Sequence, residues 1–198
     1  MAKTQQKSDR RMGPVGSENW HAMLDGAEVI LREEGHAALT SRRVAEYIGV
    51  KQRLIYYYFR TMDELIVHTF HRLSERELAR LTEAAKTEKP LRELWDVCIH
   101  TTDVRLISEF MALANRIEGL RQEVAYFIEE SRAVQVRAIE GAVSRMAGKA
   151  PLPSSCLALI ATSLALSLSR EDQLGISAGH EEARDLIHQV FTLYEPDR

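Results

Sequence analysis

The sequence predicts an all-α fold, and three observations support this prediction. Apolar residues recur at intervals of three and four along most of the chain. Short stretches in which apolar and polar residues alternate, as in a half-buried strand, do not occur. Glycine, proline and asparagine separate the periodic stretches, as is typical of helix ends. A hydrophobic content of 45% in 198 residues is enough for a real core in one or two domains.

The first sixteen residues precede the first periodic stretch and have almost no apolar content. We interpret residues 1–16 as a flexible basic arm that is disordered in isolation. Such an arm, ahead of a DNA-binding unit, can enter the minor groove or lie along phosphates. A cloning remnant or solubilising tail explains it equally well. Its basic side chains are Lys3, Lys7, Arg10 and Arg11.

The first predicted helix covers about Ser17 to Glu34 and ends at Gly35. Because short helices bury too little surface alone, its apolar face is expected to cover the two helices that follow. The residues of that face are Trp20, Met23, Leu24, Ala27, Ile30 and Leu31.

Two short helices joined by a glycine are predicted next. Thr40 is a good N-cap, and Gly49 can adopt the positive φ that ends a helix. The second helix begins within two or three residues of the glycine and ends at Phe59. Ala45 supplies the small side chain that steeply crossing helices need. We therefore interpret Thr40–Leu65 as a helix-turn-helix.

The outward face of the second short helix suggests the partner. If Ile55 points inward, basic, amide and phenolic side chains point outward, at about 100° per residue. Arginine, lysine and glutamine can contact base edges, and tyrosine hydroxyls can contact phosphates. A solvated face of an ordinary hairpin is the alternative, but two adjacent exposed tyrosines favour a partner. The candidate base readers are Lys51, Gln52 and Arg53, and the candidate phosphate contacts are Thr40, Arg42, Tyr56, Tyr57 and Arg60.

This stretch resembles the DNA-binding domain of TetR-family transcriptional regulators. The resemblance covers about a quarter of the chain and implies a dimeric, ligand-responsive repressor. The family's usual lysine at the start of the fourth helix is Met62 here, and the usual small residues near the start of the recognition helix are Lys51, Arg53 and Leu54. The matching residues are Thr40, Val44, Ala45, Gly49, Val50, Ile55, Tyr56, Tyr58, Phe59, Glu64 and Leu65.

The charge distribution agrees with a DNA-binding N-terminal part. The net charge of −3 argues against a general nucleic-acid coat. Residues 1–60 nevertheless hold ten Lys and Arg against seven Asp and Glu, whereas residues 61–198 hold sixteen against twenty-two. Positive charge is therefore concentrated where the motif lies.

A fourth helix is predicted to begin at a capping box formed by Thr61 and Glu64 and to continue towards Lys86. It connects the DNA-binding part to the remaining helices, so we expect a tilt at its far end to displace the recognition helix. His68 and His71 lie one turn apart on it, but two ligands do not make a metal site, and structural histidines are favoured. No metal and no cofactor is predicted.

Five further helices follow, so residues 17–62 are predicted to form the DNA-binding domain and residues 63–198 an effector-binding and dimerisation domain. The predicted spans are Leu91–Thr102, Val104–Asn115, Leu120–Met146, Ser155–Asp172 and His180–Tyr194.

The most apolar run, Leu157–Leu168, is too short to span a bilayer and needs partners on nearly every side. With the last helix it can form half of an intersubunit four-helix bundle, as the resemblance also implies. One recognition helix reads only a few base pairs, so a homodimer on double-stranded operator DNA is expected, without a membrane role.

An effector pocket is expected among the intervening helices, for a hydrophobic or amphipathic small molecule. Most such residues on helices are simply core, so each one alone favours a structural role. The candidate lining comprises Trp95, Cys98, Ile99, Phe110, Met111, Tyr126 and Phe127, with His100, Asn115 and Arg116 as polar anchors.

Gly175–Gly179 matches G-x-S-x-G, the nucleophile elbow of hydrolases. A serine hydrolase using Ser177 with His180 or His188 is therefore an alternative, although that elbow requires a preceding strand. A DNA-binding dimer without a small-molecule effector is another. Cys98 and Cys156 belong to no metal or redox motif, and with a polar, basic start they suggest a reduced, cytoplasmic protein. No Gly-rich phosphate loop, Walker pattern or plausibly placed carboxylate pair supports an enzyme, so none is predicted.

Overall fold

A computed structural model describes residues 13–101, 103–144 and 152–196, and every regular element within these ranges is a helix. The prediction of an all-α class is thereby confirmed. The chain divides into two compact units, one up to Thr69 and the other from Phe70. The α-helices are α1 (Glu18–Glu34), α2 (Ser41–Tyr47), α3 (Gln52–Tyr58), α4 (Met62–Ala84), α5 (Pro90–Asp96), α6 (Val104–Ala114), α7 (Glu118–Ser144), α8 (Ser154–Gln173) and α9 (His180–Tyr194).

In the first unit, α1 is the helix against which α2 packs. The hydroxyl of Ser17 caps α1 by accepting the Trp20 backbone N–H at 3.4 Å. Gly26 permits close packing, since a Cβ at that position would lie 3.0 Å from Ile48 Cγ2. The fully buried side chains of α1 include Leu24 and Leu31. Full burial of a side chain of this size contributes about 1.5–3 kcal/mol.

The α2–α3 pair forms as the sequence predicts. Thr40 caps α2, because its Oγ1 accepts the Arg43 backbone N–H at 3.1 Å. Gly49 has a φ of +71°, which a residue with a Cβ rarely adopts, and this turn separates the two helices. Ile55 and Phe59 are each only 1% exposed, so they hold α3 against the unit's core.

The start of α4 differs in detail from the predicted capping box. Thr61 Oγ1 accepts the Glu64 backbone N–H at 3.1 Å, as expected. The Glu64 carboxylate, however, accepts the backbone N–H of Arg60 at 2.7 Å instead of that of Thr61. This hydrogen bond therefore joins the segment after α3 to the first turn of α4.

The second unit has its own core, built by the later part of α4 with α5, α7 and α9. A buried carboxylate also joins the end of α9 to the start of α5: Glu195, just after α9, accepts the backbone N–H groups of Leu91 and Arg92 at 2.7 and 3.2 Å. These are two of the amide groups that the first turn of α5 leaves without helical partners. The core comprises Leu81, Ala84, Leu91, Leu94, Val134, Ala138, Ala142, Ile187, Phe191 and Tyr194.

The helix predicted over Leu91–Thr102 is wrong in its second half, because a π-helical turn, Val97–Thr101, follows α5. A π turn contains an extra residue, which shifts the side chains after it around the helix axis. The Ser169 hydroxyl of α8 donates to the Ile99 carbonyl at 3.1 Å and so supports the widened turn from outside. Elsewhere the predicted ends deviate slightly, as at α7, which begins at Glu118 instead of Leu120.

Candidate DNA-binding surface and effector cavity

The outward face of α3 is the first candidate site. Tyr56 and Tyr57 are 47% and 45% exposed, whereas Tyr58, which points inward, is 7% exposed. Lys51, Gln52, Arg53 and Arg60 are also exposed. Two phenol rings, three cationic groups and one amide therefore lie on one short stretch of surface.

A buried hydroxyl holds part of this surface in place. Ser41, at the first turn of α2, lies 3.0 Å from the Tyr56 hydroxyl and accepts the Gln52 amide N–H at 2.8 Å. Ser41 is only 5% exposed, so its hydroxyl is a fixed hydrogen-bond partner for both side chains. Sequence reasoning missed Ser41. The sequence did contain one signal: Ser41 is a small hydroxyl residue directly after Thr40, the N-cap of α2.

The cations of this unit differ in whether an acid neutralises them. In α2, Arg42 pairs with Glu46 at 2.8 Å and Arg43 with Glu34 at 2.6 Å. Within the described residues, no acidic partner is found for Lys51 or Arg53. These two cations therefore lie at the start of α3, beside the amide and the phenols.

The remaining predicted contacts are only partly available in this structure. Arg42 would have to exchange Glu46 for a phosphate, and the Thr40 hydroxyl already caps α2. The Tyr57 carbonyl accepts the Gly13 backbone N–H at 2.9 Å, which places the start of the described chain beside the end of α3. The predicted arm's basic residues lie outside the described ranges.

The second unit contains a cavity of about 260 Å³. Small-molecule pockets typically measure about 300–1,000 Å³, so this one suits a compact ligand. Its lining comes from α5, the π turn, α7, α8, α9 and the segment before α8. These residues are Leu91, Leu94, Trp95, Cys98, Gln135, Ile139, Leu152, Leu157, Ala158, Ile160, Ala161, Thr162, Leu164, Leu186, Ile187, Val190, Phe191 and Tyr194.

Only Trp95 and Cys98 of the predicted effector pocket line this cavity. Phe110 is fully buried and packs edge-on against Phe70, with ring centroids 5.1 Å apart. Phe127 packs against the same ring at 6.0 Å, and His100 pairs with Asp96 at 2.6 Å. Ile99, Met111, Asn115, Arg116 and Tyr126 are likewise absent from the lining.

The reason for this difference is that α8 and α9 supply much of the cavity wall, whereas the sequence pattern assigned them to dimerisation alone. Gln135 and Thr162 are the polar lining residues that sequence reasoning missed. Nothing in the local pattern distinguishes them from other polar residues on helices. Burial, followed by the charge of Glu77, raises the pKa of Cys98 to about 11.

The geometry around Ser177 lacks the features of a hydrolase elbow. The loop follows α8 instead of a strand. His180 is buried, with Nδ1 3.0 Å from Asp172 and Nε2 3.0 Å from Glu171, so neither ring nitrogen is available to Ser177. His188 instead packs edge-on against Phe191.

The histidines of α4 do not converge on a metal site. His68 contacts the rings of Trp20 and Phe59, whereas His71 lies 2.9 Å from Glu123. Across the described ranges, no group of three or more His, Cys, Asp or Glu side chains is placed to hold a metal ion. None of the helices in these ranges has both the length and the hydropathy of a membrane span.

Comparisons with known proteins agree with this geometry. Residues 23–69 match the family model described as bacterial regulatory proteins, tetR family. The search of curated proteins found no match for this sequence.

Solved structures share the fold at low sequence identity. The reduced form of NemR from E. coli has a TM-score of 0.73 at 15% identity, over 87% of this chain and 96% of that one. A TetR transcription regulator from Haloarcula marismortui gives 0.72 at 19% identity, over 86% and 94%. A TetR transcriptional regulator from Legionella pneumophila gives 0.71 at 18% identity, over 88% and 97%.

Proposed function

Since the chain belongs to the tetR family of bacterial regulatory proteins through its domain at residues 23–69, we propose that it is a homodimeric repressor that a small effector releases from its operator. The observation that carries this proposal is the outward face of α3. Exposed Lys51 and Arg53 have no acidic partner within the described chain, and exposed Tyr57 lies on the same short helix. Double-stranded DNA in the cytoplasm is the partner that this combination fits.

In this proposal, α3 lies in the major groove. Lys51, Gln52 and Arg53 near its start read base edges, since guanine offers two acceptors to a cation and adenine pairs with an amide. Tyr56, Tyr57 and Arg60 contact phosphates, with Thr40 and Arg42 at the start of α2. Ser41 fixes the side chains of Gln52 and Tyr56 before DNA arrives.

Dimerisation through α8 and α9 is the second part of the proposal. These helices expose four large apolar side chains to solvent in the single chain: Leu159, Ile160, Leu186 and Leu193, each between 48% and 59% exposed. Ile160 and Leu186 also line the cavity at its solvent-exposed side, so Leu159 and Leu193 belong to the proposed interface alone. Burial of such a surface against a second copy is favourable. A two-fold axis then presents two α3 helices to half-sites about 34–36 Å apart, or a multiple of that spacing.

Effector response is the third part. The cavity of the second unit supplies the binding site, and α4 runs without interruption from the first unit into the second. An effector that favours one arrangement of the helices around the cavity changes the position of α4, and the two α3 helices then no longer fit both half-sites. By linkage, DNA weakens effector affinity by the same factor. A cavity of this size favours this mechanism over a regulator without an effector.

Selection of bound sequences from random duplex DNA tests the DNA-reading role. The wild-type chain should enrich one motif with two related halves. Arg53→Ala should lower affinity for that motif by about 5- to 150-fold and relax the preference at one position of each half. Arg137→Ala is the matched control, because Arg137 is an exposed arginine on α7, outside the proposed interface. Equal binding by the wild-type and Arg53→Ala chains would refute the proposed docking face.

Sedimentation of Leu193→Glu tests the dimer, since Leu193 is exposed on α9 and does not line the cavity. Two charges buried across a two-fold axis should convert dimer to monomer and abolish operator binding. Leu174→Glu is the control, since Leu174 is 70% exposed and follows α8. A Leu193→Glu chain that stays dimeric would place the interface elsewhere.

A further inference from the structure

The cavity of the second unit has a lining that restricts what it can bind. No Asp, Glu, Lys, Arg or His occurs among the described lining residues. An ionised group held against this lining would lose part of its hydration without gaining a counter-charge, which weakens its binding. The lining therefore selects against anions and cations.

The size of the cavity limits the ligand as well. An apolar cavity of about 150 Å³ holds one benzene ring. At about 260 Å³, this cavity has room for one ring with a short chain, or for two fused rings. Trp95 and Phe191 line it with aromatic surface, and their ring centroids are 6.1 Å apart.

Gln135 is the polar side chain best placed to orient a ligand. It lines the cavity and is 8% exposed. Its Oε1 lies 2.9 Å from the Thr162 hydroxyl, which fixes the amide. Its Nε2 has one described contact, with Cys98 Sγ at 3.9 Å. Sulfur is a weak acceptor and the amide nitrogen carries two hydrogens, so a better acceptor can bind there.

The π turn beside the cavity is a second observation that points to ligand binding. Cys98 belongs both to this turn, Val97–Thr101, and to the cavity wall. Short π-helical insertions within helices are frequent at functional sites. A ligand acceptor that displaces Cys98 from Gln135 would act directly on this turn.

We propose that the cavity binds a compact, uncharged, mainly apolar molecule with one hydrogen-bond acceptor, and that Gln135 Nε2 donates to this acceptor. The consequence of binding at DNA rests on the proposed function, whereas the binding itself does not.

Isothermal titration of the full chain with four matched compounds tests this chemistry. Butyrophenone has one ring, a three-carbon chain and a carbonyl acceptor, and butylbenzene replaces the carbonyl by a methylene. Phenylbutyrate and 4-phenylbutylamine have a similar body with a negative or a positive charge. Butyrophenone should bind most tightly, butylbenzene about 2- to 12-fold more weakly, and the two ions at least roughly 100-fold more weakly.

Gln135→Leu identifies the hydrogen-bonding group. The Thr162 hydroxyl also lies 2.9 Å from the Ala158 carbonyl, so it keeps a partner when the amide is removed. Butyrophenone and butylbenzene should then bind equally well. Gln135→Met provides a second variant of similar volume if the leucine chain is unstable. Gln122→Leu, on the exposed side of α7, is the control and should retain the wild-type ratio.

Tryptophan emission locates the ligand. Butyrophenone should change the emission of the wild-type chain, and Trp95→Phe should remove this change while heat of binding persists. The proposal is overturned if an ion binds as tightly as butyrophenone, if none of the four compounds binds, or if Gln135→Leu keeps the preference for the ketone.

Operator release is measured separately, with each of the four compounds and labelled duplex DNA. The predicted ranking without release would support the cavity chemistry and refute the effector mechanism of the proposed function. Release that follows the same ranking supports both.

Discussion

The outward face of α3 and the cavity of the second unit are opposite in chemistry and in construction. The α3 face carries cations, an amide and phenols, all exposed and within ten consecutive residues from Lys51 to Arg60. The cavity wall is mainly apolar, without a charged side chain among its described residues, and brings together residues from Leu91 to Tyr194. A surface encoded in one short helix can be derived from periodicity, whereas a cavity assembled across the fold depends on how several helices pack.

The largest expected effect separates two neighbouring residues that the sequence assigns to the same pocket. Phe110→Ala should lower the free energy of unfolding by about 3–5 kcal/mol, because a fully buried ring leaves a cavity behind. Met111→Ala should change it by no more than about 0.5 kcal/mol, because Met111 is 46% exposed. Denaturant unfolding of both chains provides the measurement, and equal losses would contradict the assignment of Phe110 to the core.

The second prediction concerns the thiol in the cavity wall. A pKa raised from 9.0 to about 11 lowers the thiolate fraction of Cys98 at neutral pH about 100-fold relative to an ordinary thiol. In a Cys156→Ser chain, alkylation by iodoacetamide should be slower than in the same chain unfolded by urea by at least that factor, and should accelerate as the pH rises towards 11. Rapid labelling of the folded chain at neutral pH would mean that the wall opens readily.

The third prediction concerns the support of the α3 face. Ser41→Ala removes the partner of both Gln52 and Tyr56, so operator affinity should fall by about 2- to 12-fold, the value of about one net hydrogen bond. Base preference at the position that Gln52 reads should relax. Ser74→Ala is the control, since Ser74 is also buried but donates to the His71 carbonyl within α4. An equal loss of operator affinity in both variants would mean that Ser41 has no specific role at the α3 face.

The smallest effect is expected at the α8–α9 corner. Hydrogen bonds from His180 and then Ser167 hold the pKa of Glu171 below 4.5 in the folded chain. A depressed carboxyl pKa stabilises the fold above the unfolded value of 4.5, and this stabilisation is lost as the pH falls below it. Glu171→Gln should therefore unfold with a weaker pH dependence between pH 5 and roughly pH 3 than the wild-type chain. Glu182→Gln, in the exposed first turn of α9, should retain the wild-type dependence.

The sequence predicts the first unit well because its signals are local. Thr40, Gly49 and Ile55 each act on neighbours within a few residues, as cap, turn and inward anchor. The hydroxyl contact of Ser41 with Tyr56 joins two helices, and no spacing rule predicts a single contact of this kind. It therefore emerged only from the structure.

The second unit is predictable in its helices and much less so in its cavity. The helix α9 begins and ends where the sequence predicts, because apolar residues recur at helical intervals between Gly179 and Tyr194. Phe110 and Gln135 illustrate the rest: both lie on helices with an apolar period, yet one fills the core and the other lines the cavity. Which of the two occurs depends on how the surrounding helices pack, which the sequence pattern does not encode.

Two exposed tyrosines allow the most direct test of the claim that the α3 face contacts DNA. Tyr57 on α3 is 45% exposed, and Tyr126 on α7 is 57% exposed. Each is replaced in turn by photoreactive p-benzoylphenylalanine, and the chain is irradiated with the duplex that the wild-type protein selects. Crosslinking to DNA from position 57 and none from position 126 is the predicted result. Crosslinking from position 126 with none from position 57 would contradict the account.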